Sequence, residues 1–305
     1  MAVALPTGEQ YEIAAGGYRA VITELGATLR QLTHAGRPVL RGFGAEESPS
    51  GGAGQHLLPW PNRIRDGRYE FAGRSFQLPL TEPARGNANH GLVRYVGWRL
   101  AELSESSATL TVRVFPQPGW PGVLEARVSF GLAADGLTVR VEAANLGAGP
   151  LPFGYGAHPY LTVGEETVEE VTLTVPGERY LVVDERMLPV RLAPVEGTPV
   201  DFRTAAVLGE RSLDTAYTDL ARDRDGRWEV RLRRGERTAT LWADANFRWL
   251  QVFSGGEFRD RSIAVEPMTC GPNAFNPGPT HGDLVVLEPG QHFTGQWGIS
   301  GGSDT

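Results

Sequence analysis

Hydrophobic and polar residues alternate along much of this chain with the two-residue period of a half-buried β-strand. Leu110, Val112 and Val114, for example, fall on one face of such a stretch. Comparable alternation covers the segments 107–114, 124–132, 136–143, 168–175, 228–233 and 238–243. With 39 Gly and 22 Pro, turns are frequent, and the one modest helix candidate is 202–208. Because no linker divides the pattern, we predict one all-β domain over residues 1–305, a large sandwich or barrel.

The amino-acid composition argues against several classes of function. The 305 residues are 41% hydrophobic and 21% charged, so the chain can bury a core. Its formal net charge of −7 argues against a nucleic-acid partner, since phosphate binding needs clustered Lys and Arg. The single cysteine, Cys270, allows no internal disulfide. The first residues lack a signal-peptide pattern, and no run approaches the roughly 20 apolar residues of a membrane span. We therefore expect a cytoplasmic protein without a membrane partner.

Glu266 is the most informative residue in the sequence. It follows the apolar run 262–265 and precedes Pro267, a pattern that predicts a buried strand ending at the carboxylate. A buried carboxylate is costly unless it is paired or used. Glu266 is therefore a candidate base for proton transfer on a small polar substrate.

Two histidines are candidate partners for this base. His158 is preceded by Gly154, Gly156 and Ala157, small residues that predict open space beside its imidazole. His90 precedes a glycine in a predicted loop, where a functional histidine and a surface turn histidine are both compatible with the sequence.

Further polar residues could hold such a substrate. Asn62 and Arg63 supply an amide and five N–H donors, although Arg63 could instead form a surface ion pair with Asp66. Gln251 stands among aromatic residues, as in a sugar pocket, but a backbone-bonded Gln is an alternative. Asp214 could accept two hydroxyl hydrogen bonds or belong to a plain turn.

Together these motifs resemble the aldose 1-epimerase (galactose mutarotase) family. The matches occur in family order from Gly26 to beyond Asn276: Gly26-Ala27, Pro61-Asn-Arg-Ile64, Gly67, His90-Gly91, Gly119-Trp-Pro-Gly122, His158-Pro-Tyr160, Asp214, Gln251 and Val265-Glu266-Pro267. The resemblance implies a large antiparallel β-sandwich with an open concave face.

The resemblance also implies roles for individual residues. Glu266 would be the general base on the anomeric hydroxyl, and His158 the general acid on the ring oxygen. His90 would bind the ring or anomeric oxygens, and the other hydroxyls would be held by Asn62, Arg63, Asp214 and Gln251. The implied reaction interconverts the α and β anomers of a free aldohexose, without cofactor or metal, in a monomer or homodimer. We expect a raised pKa for Glu266 and a near-neutral pKa for His158.

Two alternatives from other functional classes stay open. A non-catalytic carbohydrate-binding β-sandwich would use the aromatic residues and Gln251, but it would not need two histidines and a buried glutamate. A metal-dependent enzyme would use His90, His158, Asp214 and Glu266 as ligands. No His-x-His or His-Glu-x-x-His spacing is present to support the metal hypothesis.

A hexose-phosphate mutarotase is the nearest alternative within the same class. Arg65, Arg85 and Arg94 lie near the motifs and could supply positive charge. A phosphate dianion needs at least two clustered cations, and the resemblance assigns Arg63 to hydroxyls. We therefore expect a neutral aldose as substrate rather than a sugar phosphate.

Overall fold

The computed structural model describes residues 4–164, 167–256 and 261–303. Regular structure in these ranges consists of β-strands and of short 3-10 helices at Pro83–Arg85, Val168–Glu170 and His281–Asp283. In the same ranges, no helix has the length and apolar character that a membrane span requires.

The larger sheet has twelve strands. They are β1 (Gln10–Ala15), β2 (Tyr18–Thr23), β3 (Leu29–His34), β4 (Arg37–Leu40), β5 (His56–Leu57), β15 (Gly156–Ala157), β16 (Tyr160–Leu161), β18 (Gly177–Val183), β19 (Pro189–Pro194), β21 (Asp214–Leu220), β24 (Trp249–Phe253) and β25 (Ile263–Met268). Their spatial order is β1-β2-β3-β4-β16-β25-β24-β21-β18-β19, with β15 between β25 and β5. All these pairings are antiparallel.

The second sheet has nine strands. They are β10 (Arg99–Leu103), β11 (Ser107–Val114), β12 (Leu124–Ala133), β13 (Gly136–Asn145), β17 (Thr172–Thr174), β20 (Ala206–Val207), β22 (Trp228–Arg234), β23 (Arg237–Ala243) and β27 (His292–Ser303). Their order is β10-β11-β12-β13-β27-β23-β22-β17-β20. Three two-stranded ladders complete the structure: β6 (Arg63–Arg65) with β9 (Asn87–Asn89), β7 (Arg68–Phe71) with β8 (Arg74–Gln77), and β14 (Leu151–Phe153) with β26 (Val285–Leu287).

The two large sheets pack face to face around one apolar core. Along β12, Leu124, Ala126, Val128 and Phe130 are buried on the face that meets the other sheet. The ring of Phe130 lies 5.7 Å from that of His56 on β5, so the two layers touch directly. Burial of a Phe-sized side chain stabilises the fold by about 1.5–3 kcal/mol. This architecture confirms the predicted large antiparallel β-sandwich.

Two local predictions are wrong. Segment 168–175 begins as a 3-10 helix, because the hydroxyl of Thr167 accepts the N–H of Glu169 and caps it; only Thr172–Thr174 is extended. Segment 202–208 contains no helix. Its residues Ala206–Val207 form β20, which pairs with β17.

The strand that carries Glu266 does not end there. β25 continues two residues further, through Pro267, and the predicted end at the carboxylate is wrong. The N–H groups of Val265 and Thr269, on either side of Pro267, donate to the segment 155–159 rather than to β24. The donor that Pro267 lacks would point to the side of β25 where β15 and β16 separate. The hydrogen-bond ladder with β24 is therefore not interrupted.

Candidate active site

Neighbouring strands of the larger sheet bring the polar candidates to one face. In the ladder of β24 with β25, Gln251 lies opposite Glu266. On the other side of β25, β15 and β16 share a single register, which places His158 opposite Glu266. Asp214 follows on β21, two residues from Ala216, the partner of Gln251. Opposite residues, and residues two apart on a strand, share a sheet face. These side chains therefore point to the same side.

A cavity of ≈ 390 Å³ opens on this face of the sheet. All seven residues that the sequence singles out line it: Asn62, Arg63, His90, His158, Asp214, Gln251 and Glu266. The structure thus brings together side chains from four strands and three loop segments.

His158 and Glu266 form a buried pair within the cavity. Nε2 of His158 lies 3.3 Å from Oε1 of Glu266, and the two residues are 6% and 2% exposed. Oε2 of Glu266 has no hydrogen-bond partner among the residues that the structure describes. The pair therefore combines a close donor–acceptor distance with a buried carboxyl oxygen that lacks a partner in the described ranges.

Burial determines the protonation of this pair. It raises the pKa of Glu266 well above its usual range, and the nearby charge of Asp214 adds to the shift. It lowers the pKa of His158 to about 3, an effect that the charge of Arg94 reinforces. The expected rise for Glu266 is confirmed in direction. The near-neutral value expected for His158 is wrong because the imidazole is fully desolvated. The pair shares one proton, which burial favours on the carboxyl group.

His90 faces the pair from a loop. Its ring meets that of His158 edge-on at 5.5 Å between centroids. The backbone N–H of Asn62 donates to Nδ1 of His90 at 3.1 Å, which assigns the proton of a neutral His90 to Nε2. Burial lowers the pKa of His90 well below its usual range. His90 is therefore a neutral donor with Nε2–H available in the cavity.

A chain of hydrogen bonds orients the side-chain amides of Asn62 and Gln251 in the cavity. The side-chain Nδ2 of Asn62 donates to Oε1 of Gln251 at 3.4 Å, and Nε2 of Gln251 donates to Oδ1 of Asp214 at 2.6 Å. This arrangement aligns donors and acceptors along one wall, as recognition of neighbouring hydroxyl groups requires. Gln251 is held by side chains, so the backbone-bonded alternative for this residue is wrong.

Arg63 has a partner that the sequence does not indicate. Its Nε and Nη2 donate to the carboxylate of Glu82 at 2.9 and 3.0 Å, a two-point contact that is largely buried. Its Nη1 donates to Oδ1 of Asn62 at 3.2 Å. Asp66 pairs with Arg186 instead, at 2.7 Å, so the alternative pairing of Arg63 with Asp66 is wrong. Arg63 thus supports Asn62 while its own charge is compensated.

The comparison with known proteins agrees with this geometry. Residues 9–300 match the profile of the aldose 1-epimerase family. The chain belongs to the aldose 1-epimerase family. It is 34% identical over 286 residues to the uncharacterized protein YihR of Escherichia coli K12, covering 93% of this chain and 91% of that protein. It is 31% identical over 157 residues to galactose mutarotase of Rattus norvegicus, covering 49% and 44%.

Solved structures of aldose 1-epimerase relatives share the fold. A galactose mutarotase-like protein of Clostridium acetobutylicum has a TM-score of 0.86 at 16% identity, with 96% of this chain and 94% of that chain covered. Galactose 1-epimerase of Lactobacillus acidophilus has a TM-score of 0.79 at 22% identity, with 95% and 92% covered.

The open space beside His158 in this family member comes from an unexpected glycine. A Cβ atom on Gly52, at φ +80°, would lie 3.0 Å from Cδ2 of the His158 ring. Gly154 and Gly156 instead approach Pro61 on another side, so assigning the space to them is wrong. Gly52 lies outside every motif, and no local signal indicates it.

Further residues that line the cavity were not among the seven predicted site residues. Tyr160 stacks on His158 with 5.1 Å between ring centroids, and Phe253 and Tyr95 supply further aromatic surface. Arg94, four residues beyond His90, lines the cavity as well. Within the described ranges, no group of three or more His, Cys, Asp or Glu residues is arranged to hold a metal ion.

Proposed function

We propose that this protein is an aldose 1-epimerase that interconverts the α and β anomers of an aldohexose by general acid–base catalysis. The observation that carries the proposal is the 3.3 Å contact of His158 with Glu266 in the cavity lined by the other polar candidates. Family membership supports the reaction class, since mutarotation needs one proton removed and one delivered, with no redox step.

In the proposed reaction, the Glu266 carboxylate takes the proton from the anomeric hydroxyl and protonated His158 gives one to the ring oxygen. The C1–O5 bond breaks and the aldehyde forms. Rotation about C1–C2 and closure on the other face, with both proton transfers reversed, yields the other anomer. The pair holds one proton when the ring is closed and one when it is open, so the cycle needs no proton from outside the site. Burial favours protonated Glu266 beside neutral His158, the form that the pair reaches on ring opening.

The remaining residues would hold the sugar in place. Nε2–H of His90 would donate to the ring or anomeric oxygen beside the catalytic pair. Asn62, Gln251 and Asp214, already linked by hydrogen bonds, would meet adjacent hydroxyls, and Arg63 would keep Asn62 oriented. Aromatic rings at Tyr160 and Phe253 would cover C–H faces of the sugar.

Anomer interconversion tests the proposal directly. Freshly dissolved α-glucose and α-galactose are followed by polarimetry or proton NMR, with each uncatalysed rate subtracted. We expect acceleration by the wild-type protein and its loss in Glu266→Gln. Binding of these sugars without acceleration would instead support the non-catalytic carbohydrate-binding alternative and contradict the proposed function.

A further inference from the structure

Arg94 is a cation in the cavity without a countercharge in contact. It is half-buried and lines the same space as Glu266 and His158. Its guanidinium lies 5.1 Å from the ring of Tyr95, but no hydrogen bond or ion pair joins it to any residue in 4–164, 167–256 or 261–303. A partly desolvated guanidinium with free donors is costly, and carboxylates satisfy it best. Arg94 is thus available to a ligand.

Among the described residues, the other charged side chains around the cavity have partners of opposite charge nearby. Glu82 binds both Arg63 and Arg85, at 2.9 and 3.0 Å. Burial raises the pKa of Asp214, and the charges of the same two arginines oppose that shift. The positive charges of Arg63 and Arg85 are therefore matched by the carboxylates of Glu82 and Asp214. Burial favours the uncharged forms of both His158 and Glu266. Among the described residues that line the cavity, the charge of Arg94 is thus left without a countercharge in contact.

Arg94 is held on the same side of the cavity as His158. The buried residue Gln55 accepts the backbone N–H of His158 with its carbonyl oxygen at 3.0 Å. Its side-chain Nε2 donates to the backbone oxygen of Arg94, also at 3.0 Å. Burial and the charge of Arg94 both lower the pKa of His158, which agrees with this proximity. Gln55 thus ties the backbones of His158 and Arg94 to one buried residue.

The chemistry of a pyranose indicates which part of the substrate reaches Arg94. His158 is proposed to protonate the ring oxygen, and this oxygen is bonded to C5, which bears C6. The C6 group is therefore the substituent on that side of the ring. A cation beside the acid is placed to meet a charge at C6.

We propose that the substrate is an aldohexose with a singly charged carboxylate at C6, a hexuronic acid, and that Arg94 binds this carboxylate. The inference rests on the proposed function and deepens it. One guanidinium fork matches one carboxylate, whereas a phosphate dianion calls for a second free cation, and Arg63 is occupied by Glu82. It replaces the neutral substrate expected from the sequence, because the structure places Arg94 in the cavity lining.

The test compares catalytic efficiency on glucuronate with glucose, and on galacturonate with galactose, after subtraction of each sugar's uncatalysed rate. We expect wild type to prefer a uronate over its parent hexose by at least about tenfold, or about 1.4 kcal/mol. Arg94→Gln should abolish that preference, so that its catalytic efficiencies on the uronate and on the parent hexose become equal within about threefold. The matched control is Arg65→Gln, because Arg65 is exposed, lies outside the cavity and undergoes the same charge change. It should retain the preference.

Several outcomes contradict the inference. Equal catalytic efficiency of the wild type on a uronate and on its parent hexose contradicts it. A folded Arg94→Gln variant whose catalytic efficiency falls by the same factor on both sugars also contradicts it. A higher catalytic efficiency on glucose 6-phosphate than on glucuronate contradicts a substrate with a singly charged group at C6. Catalysis of glucose or galactose without a uronate preference overturns only this inference, whereas no catalysis of any of these sugars overturns the proposed function itself.

Discussion

His158, between β15 and β16, stands opposite Glu266 on β25, with 3.3 Å between Nε2 and Oε1. Strand register, rather than a flexible loop, sets this distance, and neighbouring strands cover both sides of β25. Groups held on rigid elements keep the geometry that proton transfer needs. The predictions below test what this pair and its surroundings do.

Glu266→Gln keeps the shape of the side chain and removes the base. We expect catalysed mutarotation to fall by about 10²–10⁴-fold, the usual contribution of general base catalysis. The control is Glu229→Gln, an exposed position on the second sheet, which should leave the rate unchanged. A near wild-type rate from folded Glu266→Gln would refute the assigned base.

His158→Asn should lower kcat more than it raises KM. Protonation of the ring oxygen matters mainly in the transition state, so its loss affects turnover before binding. His292→Asn, at an exposed site, serves as the control. A change confined to KM would make His158 a binding residue instead.

Glu266→Gln should also stabilise the fold increasingly as pH rises. The folded-state pKa of Glu266 is raised by burial, so the unfolded chain releases its proton first and wild-type stability declines above the ordinary value of 4.5. We expect the melting temperature of the variant to exceed that of wild type at pH 8 and the gap to narrow towards pH 5. Each kcal/mol corresponds to about 2–4 °C at domain sizes of 150–250 residues. A gap that is constant across this range contradicts the burial effect.

Gly52→Ala should impair turnover although it replaces no ionisable residue. The added Cβ would lie 3.0 Å from the His158 ring, at a backbone φ of +80°. The matched control is Gly73→Ala, at φ +72° with no atom within 4 Å, which reproduces the backbone strain alone. We expect both variants to lose about 1 kcal/mol of stability, in the range of left-handed strain. Only Gly52→Ala should lose activity; equal activity in both would remove Gly52 from the site.

Chelator treatment should leave activity intact. The proposed proton transfers involve only Glu266 and His158 and require no Lewis acid. Activity measured after dialysis against EDTA, with and without added divalent cations, provides the check. Loss on chelation with recovery on adding a cation would favour the metal-dependent alternative.

Local alternation predicted several of the longer strands, because a two-residue period shows which side chains share a face. Segment 107–114, for instance, coincides with β11. The residue types and local contexts of Glu266 and His158 singled out two residues that the structure places in contact. Segment 168–175 failed because a single capping hydroxyl, invisible to periodicity, turned its first half into a 3-10 helix.

Periodicity carries no information about which strand lies beside which, or in what register. Only the tertiary structure placed His158 opposite Glu266, paired Arg63 with Glu82, and brought Gly52 against the imidazole. It alone placed the Arg94 side chain inside the cavity, without an ion-pair partner among the residues that the structure describes. Each of these contacts joins residues from separate parts of the chain, and long-range strand pairing and core packing bring them together.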